Sequence, residues 1–249
     1  MNIGATSVGG MINNVKTFAS VLMPGVVHMR HTHLPENKFV KGEPEHGVDL
    51  ADDIERIANN IGAENIAACI VEPVAGSTGV LVPPKGYLQK IKSICEKHKI
   101  LLIFDEVITG FRVSLGGAQE YFGITPDLSI YGKSLGAGYP IGALAGKDSL
   151  MGYLDPSSEN GGHIFSIGSF HSNPLCSTAA LHCIKELKKN FLIVDFFKPN
   201  ASLPNNKANG TRVADVSILI PIYLRYTSKT LFPSILLTLF FKFPVSNKA

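Results

Sequence analysis

The sequence predicts an α/β fold in which helices flank a mostly parallel sheet. The apolar run at residues 67–71 ends at Glu72-Pro73, which is typical of a buried strand that stops at a proline. A continuous apolar run at residues 100–104 indicates a second buried strand, and the segment between the two has helical periodicity. Because a strand, a helix and a strand in this order form a βαβ unit, we expect both strands to lie parallel in one sheet.

Two amphipathic helices are predicted on either side of the first strand. One begins at Asp49, and the other follows Pro83-Pro84, since proline favours the first turn of a helix. Apolar residues recur at helical spacing in the first helix at Leu50, Ile54, Ile57 and Ile61. The corresponding face of the second helix consists of Leu88, Ile91, Ile94 and Cys95. Residues 1–48 are rich in glycine, proline and histidine and predict loops with short elements.

Shorter elements are predicted after the second strand. Residues 125–130 indicate a turn into a short strand that leads to Lys133, and residues 141–145 indicate another short strand. The polar, glycine-rich residues 152–163 predict a loop. Residues 174–187 predict a helix, with an apolar face formed by Leu175, Ala179, Cys183 and Leu187.

The composition changes after about residue 190. Residues 191–249 have few acidic side chains, scattered prolines and apolar clusters without helical period, so we divide the chain into a domain at 1–190 and a tail of unclear structure at 191–249. Prolines and a lysine interrupt the apolar stretch at 231–245. It is also shorter than the roughly 20 apolar residues of a membrane-spanning helix, so we expect no membrane partner.

Composition argues against several classes of function. The net charge is +3, and no segment interleaves basic and aromatic residues, so we expect no nucleic-acid partner. The four cysteines lack C-x-x-C spacing, which argues against a metal site or a disulfide framework and favours the cytoplasm. His31 and His33 could share a strand face, but no acid or thiol completes a metal site with them, and we interpret them as loop histidines.

Asp105 and Lys133 are the residues that indicate a catalytic chemistry. Asp105 ends the second strand, and Lys133 lies among glycines and small residues. This pattern suits pyridoxal 5′-phosphate (PLP), because a lysine amine can form an imine with the cofactor aldehyde and a carboxylate can hold a proton on the pyridine nitrogen. Glu72 ends the first strand, and ligands bind beyond the carboxyl ends of parallel strands, so we expect Glu72 and Asp105 to face one crevice.

Each of these residues also has a purely structural interpretation. Lys133 could be a solvated surface lysine, because most lysines are, and Asp105 could cap a neighbouring helix. Glu72 could pair with a surface lysine or arginine. The sequence pattern alone leaves these alternatives open.

Three long motifs occur in order and resemble the class III PLP-dependent aminotransferases. They are IAACIVEPVAGSTG at 66–79, PPKGYL at 83–88 and LLIFDEVITGF at 101–111, within a resemblance over roughly residues 1–187. The resemblance implies a type I PLP-transferase fold, of which this chain has the central part of the large domain in truncated form. It also implies an enzyme that binds PLP and acts as a homodimer.

The resemblance assigns roles to five residues. Lys133 would be the Schiff-base lysine and the general acid and base, and Asp105 would pair with the pyridinium nitrogen. Val107 would pack on the face of the ring. Ser169 would reach the cofactor phosphate of the neighbouring subunit, and Glu72 would lie near the substrate carboxylate.

Two activities remain open within this family. Residues 1–109, including HTHLPEN at 31–37, resemble ω-amino acid (β-alanine):pyruvate aminotransferases, which move an amino group from a small-molecule donor to an oxo acid. Residues 111–119, 125–128 and 139–143 are more similar to glutamate-semialdehyde aminomutase, which moves the amino group within one molecule.

A third possibility is a catalytically incomplete fragment that acts at most as an interaction partner. In this family, a phosphate-binding clamp and a ring-stacking aromatic residue precede the region that the chain resembles. A substrate-binding arginine belongs to a small domain that follows it, and residues 191–249 do not resemble that domain.

Overall fold

The computed structural model describes residues 2–38, 40–157, 162–166, 168–169 and 171–190. Its helices are α1 (Ile3–Val8), α2 (Ile12–Thr17), α3 (Asp53–Ile61), α4 (Tyr87–His98), α5 (Gly117–Phe122), α6 (Asp148–Met151) and α7 (Pro174–Asn190). Its strands are β1 (Ala68–Val71), β2 (Leu101–Asp105), β3 (Leu128–Tyr131) and β4 (Ala143–Gly146). Short 3-10 turns connect several of these, among them Val48–Asp52 and Lys133–Gly136.

The four strands form one sheet in the order β1-β2-β3-β4. The first three strands are parallel, with Val71 opposite Phe104 and Phe104 opposite Ser129. Strand β4 is antiparallel to β3. Helix α4 connects β1 to β2, which completes the predicted βαβ unit and confirms the α/β prediction. The carboxyl ends of β1, β2 and β3 therefore lie along one edge of the sheet.

The main hydrophobic core lies between the sheet and helix α4. Leu102 and Phe104 of β2 are buried and pack with the predicted apolar face of α4, whose four members are all buried. Strand β1 is less buried than predicted, since Ala68 is exposed and the residues after it are only half-buried. The reason is its position, because β1 is at the edge of the described sheet.

The helix predicted from Asp49 begins as the 3-10 turn Val48–Asp52 and continues as α3. Leu50, Ile54 and Ile57 are buried as predicted. Ile61 was wrongly placed on the buried face, since it is 45% exposed. Gly62 ends the helix directly after it, with φ +83°, and the chain then turns away from the core.

The helix predicted at 174–187 is present and extends to Asn190, but its buried face differs from the prediction. Leu175 is 62% exposed, whereas Cys176, Ala180 and Ile184 are buried. These three pack against Leu135 in a second apolar cluster. The contact with the turn after β3 sets the orientation of the helix, and the sequence pattern contains no information about that contact.

Two further predictions concern regions that the structure describes in part or not at all. The loop predicted at 152–163 includes the 3-10 turn Gly152–Leu154, and residues 158–161 lie outside the described residues. The tail at 191–249, with its apolar stretch at 231–245, also lies outside them. Within the described ranges, no helix combines the length and the apolar character needed to cross a membrane.

Candidate active site

Lys133 lies just beyond the carboxyl end of β3. The strand ends at Tyr131, Gly132 is extended, and Lys133 opens a 3-10 turn. Its φ of +47° is in the left-handed region, which side chains other than glycine rarely adopt. Such a conformation costs on the order of 1–3 kcal/mol and persists only where the surroundings enforce it. The backbone therefore holds Lys133 in a fixed, unfavourable geometry.

The contacts of the turn explain how this geometry is maintained. The Ser134 hydroxyl donates a hydrogen bond of 2.6 Å to the Gly110 carbonyl, and the Cys183 thiol donates one of 3.2 Å to the Ser134 carbonyl. Leu135 is buried against Ile141 in the second cluster. The turn is thus attached on one side to the loop after β2 and on the other to α7.

The surroundings of Lys133 favour the neutral amine. Partial burial lowers the pKa of Lys133 below its ordinary value of 10.5, and the positive charge of Arg112 lowers it further. The negative charges of Asp105 and Glu72 act in the opposite direction. Asp105 and Glu72 are thus close enough to Lys133 for their charges to act on its amine.

Asp105 is the last residue of β2 and is half-buried. Its Oδ1 atom accepts a hydrogen bond of 3.0 Å from the Val107 backbone N–H, which fixes the carboxylate at the strand end. The Val107 side chain packs beside Gly132, the residue before Lys133, since a methyl group added at Gly132 would lie 3.5 Å from Val107 Cγ1.

Glu72 lies at the end of β1 and is exposed. Its Oε2 accepts a hydrogen bond of 3.1 Å from the Gly76 backbone N–H. Loss of hydration raises the pKa of Glu72, and the negative charge of Asp105 adds to this effect. The carboxylate is thus near the other two groups and is held by the loop after β1.

Ser169 is exposed in a short turn in which the His171 N–H donates to the Gly168 carbonyl at 2.9 Å. His31 and His33 lie in the segment before α3, with ring centroids 6.4 Å apart. Among the described residues, no group of three or more His, Cys, Asp and Glu side chains is arranged to hold a metal.

Glu106 is a buried acid next to Asp105 to which the sequence patterns assign no role. It is completely buried, and its carboxylate accepts three hydrogen bonds: 2.5 Å from the Thr109 hydroxyl, 2.8 Å from Ala118 N and 2.8 Å from Gln119 N. Burial raises the pKa of Glu106, and these hydrogen bonds oppose the increase. The carboxylate thereby links the end of β2 to the start of α5.

Gly117 shows how closely this link is packed. Its φ is +78°, and an added methyl group would lie 2.6 Å from Glu106 Oε2. A signal for Glu106 was present in the sequence, because neighbouring residues at a strand end point to opposite faces. Of the adjacent acids Asp105 and Glu106, only one could face the crevice, and the other required buried partners.

Comparisons with known proteins identify the family of this chain. The sequence model of the family Aminotransferase class-III matches residues 2–206. The chain belongs to the class III aminotransferase family. This result confirms the resemblance inferred from the three motifs and agrees with the observed sheet.

Two curated members of the class III aminotransferases are similar to the chain. An omega-aminotransferase of Caulobacter vibrioides is 47% identical over 195 residues, which are 77% of this chain and 44% of that protein. A glutamate-1-semialdehyde 2,1-aminomutase of Methanocaldococcus jannaschii is 40% identical over 181 residues, which are 69% of this chain and 41% of that protein. The chain thus spans less than half the length of these class III relatives.

A solved omega transaminase structure has the same fold over the matched region. The omega transaminase of Pseudomonas jessenii in complex with PMP superimposes with a TM-score of 0.65 at 31% identity. The superposition covers 77% of this chain and 43% of that one.

Proposed function

We propose that this chain carries the cofactor-binding part of a PLP-dependent transaminase that moves an amino group from an ω-amino acid or amine to pyruvate or a similar oxo acid. The observation that carries the proposal is the grouping of half-buried Lys133 with Asp105 and Val107 at the carboxyl edge of a parallel sheet. Ligands bind at this edge in open α/β sheets. The similarity to the omega-aminotransferase of Caulobacter vibrioides supports the choice of substrates.

The described residues fit PLP. When bound, PLP supplies an aldehyde that reacts with an amine and a ring that accepts electrons. Lys133 would hold the aldehyde carbon, Asp105 would hold a proton on the pyridine nitrogen, and Val107 would pack on the ring. Ser169 would hold the phosphate bound to the neighbouring subunit, and its exposure in a single chain suits that role.

Lys133 has the properties of a nucleophile that also moves protons. Because its pKa is lowered, a larger fraction of the amine is neutral near neutral pH than for an exposed lysine. Once a substrate amine has replaced the Lys133 amine, the freed Lys133 amine can accept a proton from the substrate carbon. It can then donate this proton to a different atom. Glu72 is close enough to influence Lys133 electrostatically, and we propose that it lies near the substrate carboxylate.

Absorbance spectroscopy tests this proposal. Added PLP should give the chain a yellow absorbance band that sodium borohydride abolishes, and the Lys133→Ala variant should lack the band. Lys85→Ala is the matched control, because Lys85 is exposed on the surface and should leave the band unchanged. A band of equal strength in Lys133→Ala would show that another group holds the cofactor.

The second candidate function is intramolecular amino transfer of the glutamate-1-semialdehyde aminomutase type. The 40% identity to the Methanocaldococcus jannaschii protein favours it, as do the motifs at 111–119 and 125–128. Two assays separate the candidates. Alanine formed from pyruvate and β-alanine supports the transaminase, and isomerisation of glutamate-1-semialdehyde without an external oxo acid supports the aminomutase.

We further propose that the working form is a cytoplasmic homodimer. Four free thiols suit a reducing compartment, and a Ser169 that serves the neighbouring subunit requires two copies. Sedimentation velocity tests the dimer. A PLP-binding monomer would contradict it. A chain that neither binds PLP nor dimerises would instead support the incomplete fragment that acts only as an interaction partner.

A further inference from the structure

Helix α5 is connected to the end of strand β3 through the side chain of Gln119. The Gln119 backbone N–H donates to the buried Glu106 carboxylate at 2.8 Å, which fixes the start of this side chain. The Gln119 Nε2 group then donates to the Ser129 hydroxyl at 3.2 Å and to the Tyr131 hydroxyl. Ser129 and Tyr131 are two positions apart and therefore project from the same face of β3. Gln119 thus attaches this face of the strand to the buried acid.

Tyr131 precedes Lys133 by two residues and contacts the loop after β2. Its ring centroid lies 5.5 Å from that of Phe111. A methyl group added at Gly110 would lie 2.5 Å from Tyr131 Cδ1, so the ring lies directly against the Gly110 backbone. The Gly110 carbonyl also accepts the hydrogen bond of 2.6 Å from the Ser134 hydroxyl. The residues on both sides of Lys133 are therefore attached to the same loop.

We propose that Gln119 and Tyr131 are positioning residues that hold Lys133 in its left-handed conformation. The φ of +47° at Lys133 is unfavourable for a residue with a side chain and persists only where the neighbouring segments enforce it. Gln119 and Tyr131 restrain the segment before Lys133, and the Ser134 hydrogen bond restrains the segment after it. This role rests on the proposed function, because Lys133 is there the amine that reacts with the cofactor aldehyde.

The environment of Tyr131 suits positioning better than proton transfer. Loss of hydration raises the pKa of Tyr131 to about 12, and the negative charge of Glu106 adds to this effect. A group that donates protons near neutral pH needs a pKa close to that pH. The Tyr131 phenol instead stays neutral and keeps its hydrogen bond with Gln119.

A packing role alone makes a different prediction. If Gln119 only fastened α5 to the sheet, Gln119→Leu would lower stability and leave the Lys133 amine unchanged. If Gln119 and Tyr131 position Lys133, loss of either hydrogen-bonding group lets the turn relax toward ordinary backbone angles, and the amine gains hydration. Hydration favours the charged form of a lysine, so the pKa of Lys133 should rise toward its ordinary value of 10.5.

Competitive labelling of the amines in the absence of PLP tests the proposal. A trace amount of acetic anhydride would be added to the chain across a pH series, and peptide mass spectrometry would follow the labelling of Lys133. The exposed Lys85 serves as the reference within the same chain. We expect the midpoint pH of Lys133 labelling to rise by roughly half a unit to one unit in Tyr131→Phe and in Gln119→Leu.

Tyr87→Phe is the matched control, because it removes the hydroxyl of another tyrosine, which is buried in the main core. It should leave the Lys133 midpoint unchanged. Circular dichroism identifies any loss of fold, and Tyr131→Phe, which keeps the ring, keeps the test decisive if Gln119→Leu unfolds. Every variant retains the three charged groups that act on the Lys133 amine, which are Asp105, Glu72 and Arg112.

The labelling experiment separates the positioning role from the proposed function. An unchanged Lys133 midpoint in Tyr131→Phe, or an equal rise in Tyr87→Phe, would overturn the positioning role. Because no PLP is present, the midpoint reports the setting of Lys133 whether or not the chain binds the cofactor. Failure to bind PLP would contradict the proposed function and would leave the labelling result as it stands.

Discussion

Asp105 and Glu106 are adjacent acids with different partners. Asp105 is half-buried and is held by the Val107 N–H, while its charge acts on Lys133. Glu106 points to the other side, where it is buried and accepts three hydrogen bonds. The first residue could be predicted from its position at the strand end. For the second, the sequence signals only that one of the two acids must be buried. Its partners could not be predicted, because the backbone donors among them belong to a helix whose position depends on the tertiary structure.

The Asp105→Asn variant tests the catalytic role of the first acid. An amide cannot hold the positive charge on the pyridine nitrogen as a carboxylate does, so the ring should accept electrons less well. We expect the variant to keep the yellow band but to exchange the substrate Cα proton about a hundredfold more slowly. NMR of exchange in deuterated water measures this rate. Unchanged exchange in a variant that retains PLP would contradict the role.

The Glu106→Gln variant tests the structural role of the second acid. In the glutamine variant, the side-chain NH₂ group would face backbone N–H donors. At least one of the hydrogen bonds that the charged Glu106 carboxylate accepts is therefore lost. We expect the free energy of unfolding to fall by about 1.5–3 kcal/mol in urea titrations. Glu120→Gln is the control, because Glu120 also accepts a backbone N–H, that of Gly116, but at an exposed position. Equal effects of both substitutions would contradict a special role for Glu106.

At the scale of elements, the strands and the two helices around β1 could be predicted because their apolar residues follow a clear period. The buried face of helix α7 was predicted wrongly. Its sequence contains apolar residues on more than one stripe, and the buried stripe of Cys176, Ala180 and Ile184 depends on the contact with Leu135. Periodicity identifies an element, but a neighbour decides its orientation.

Two side-chain truncations of similar size test which face of helix α7 is buried. Ile184→Ala removes buried methyl groups and should lower the free energy of unfolding by about 2–4 kcal/mol. Leu175→Ala removes an exposed side chain and should change it by less than about 0.5 kcal/mol. Chemical denaturation measures both. A larger loss for Leu175→Ala than for Ile184→Ala would show that the observed face is wrong.

Asp53 at the start of α3 attaches the N-terminal segment to the core. It is 1% exposed and accepts a hydrogen bond of 2.8 Å from Arg30 N, with further hydrogen bonds from the side chains of Arg30 and Arg56. Burial alone would raise the pKa of Asp53, but the hydrogen bonds from Arg30 outweigh it and hold the pKa below its ordinary value of 3.8.

The pKa of Asp53 predicts how stability depends on pH. Because the pKa of Asp53 is depressed in the folded state, the ionised carboxylate stabilises the fold fully above the ordinary pKa. This stabilisation is lost as the pH falls through the folded-state pKa. Asp53→Asn should therefore be less stable than the original chain at pH 7, by about 1–2 kcal/mol. The difference should shrink below pH 3.8. A difference that stays constant down to the lowest pH would contradict the assignment.

At the scale of the whole molecule, the chain is part of a class III aminotransferase fold. The described sheet brings the ends of β1, β2 and β3 to one edge, and that edge carries Glu72, Asp105 and the segment with Lys133. The βαβ pattern in the sequence was sufficient to predict that Glu72 and Asp105 lie at one edge of the sheet.

We propose that Lys133 is the residue that holds the cofactor. The most direct test is to treat the chain with PLP, reduce it with sodium borohydride and locate the pyridoxyl group by peptide mass spectrometry. We predict a single modified peptide with the label on Lys133. Label on other lysines with none on Lys133, or label spread evenly over exposed lysines, would contradict the account.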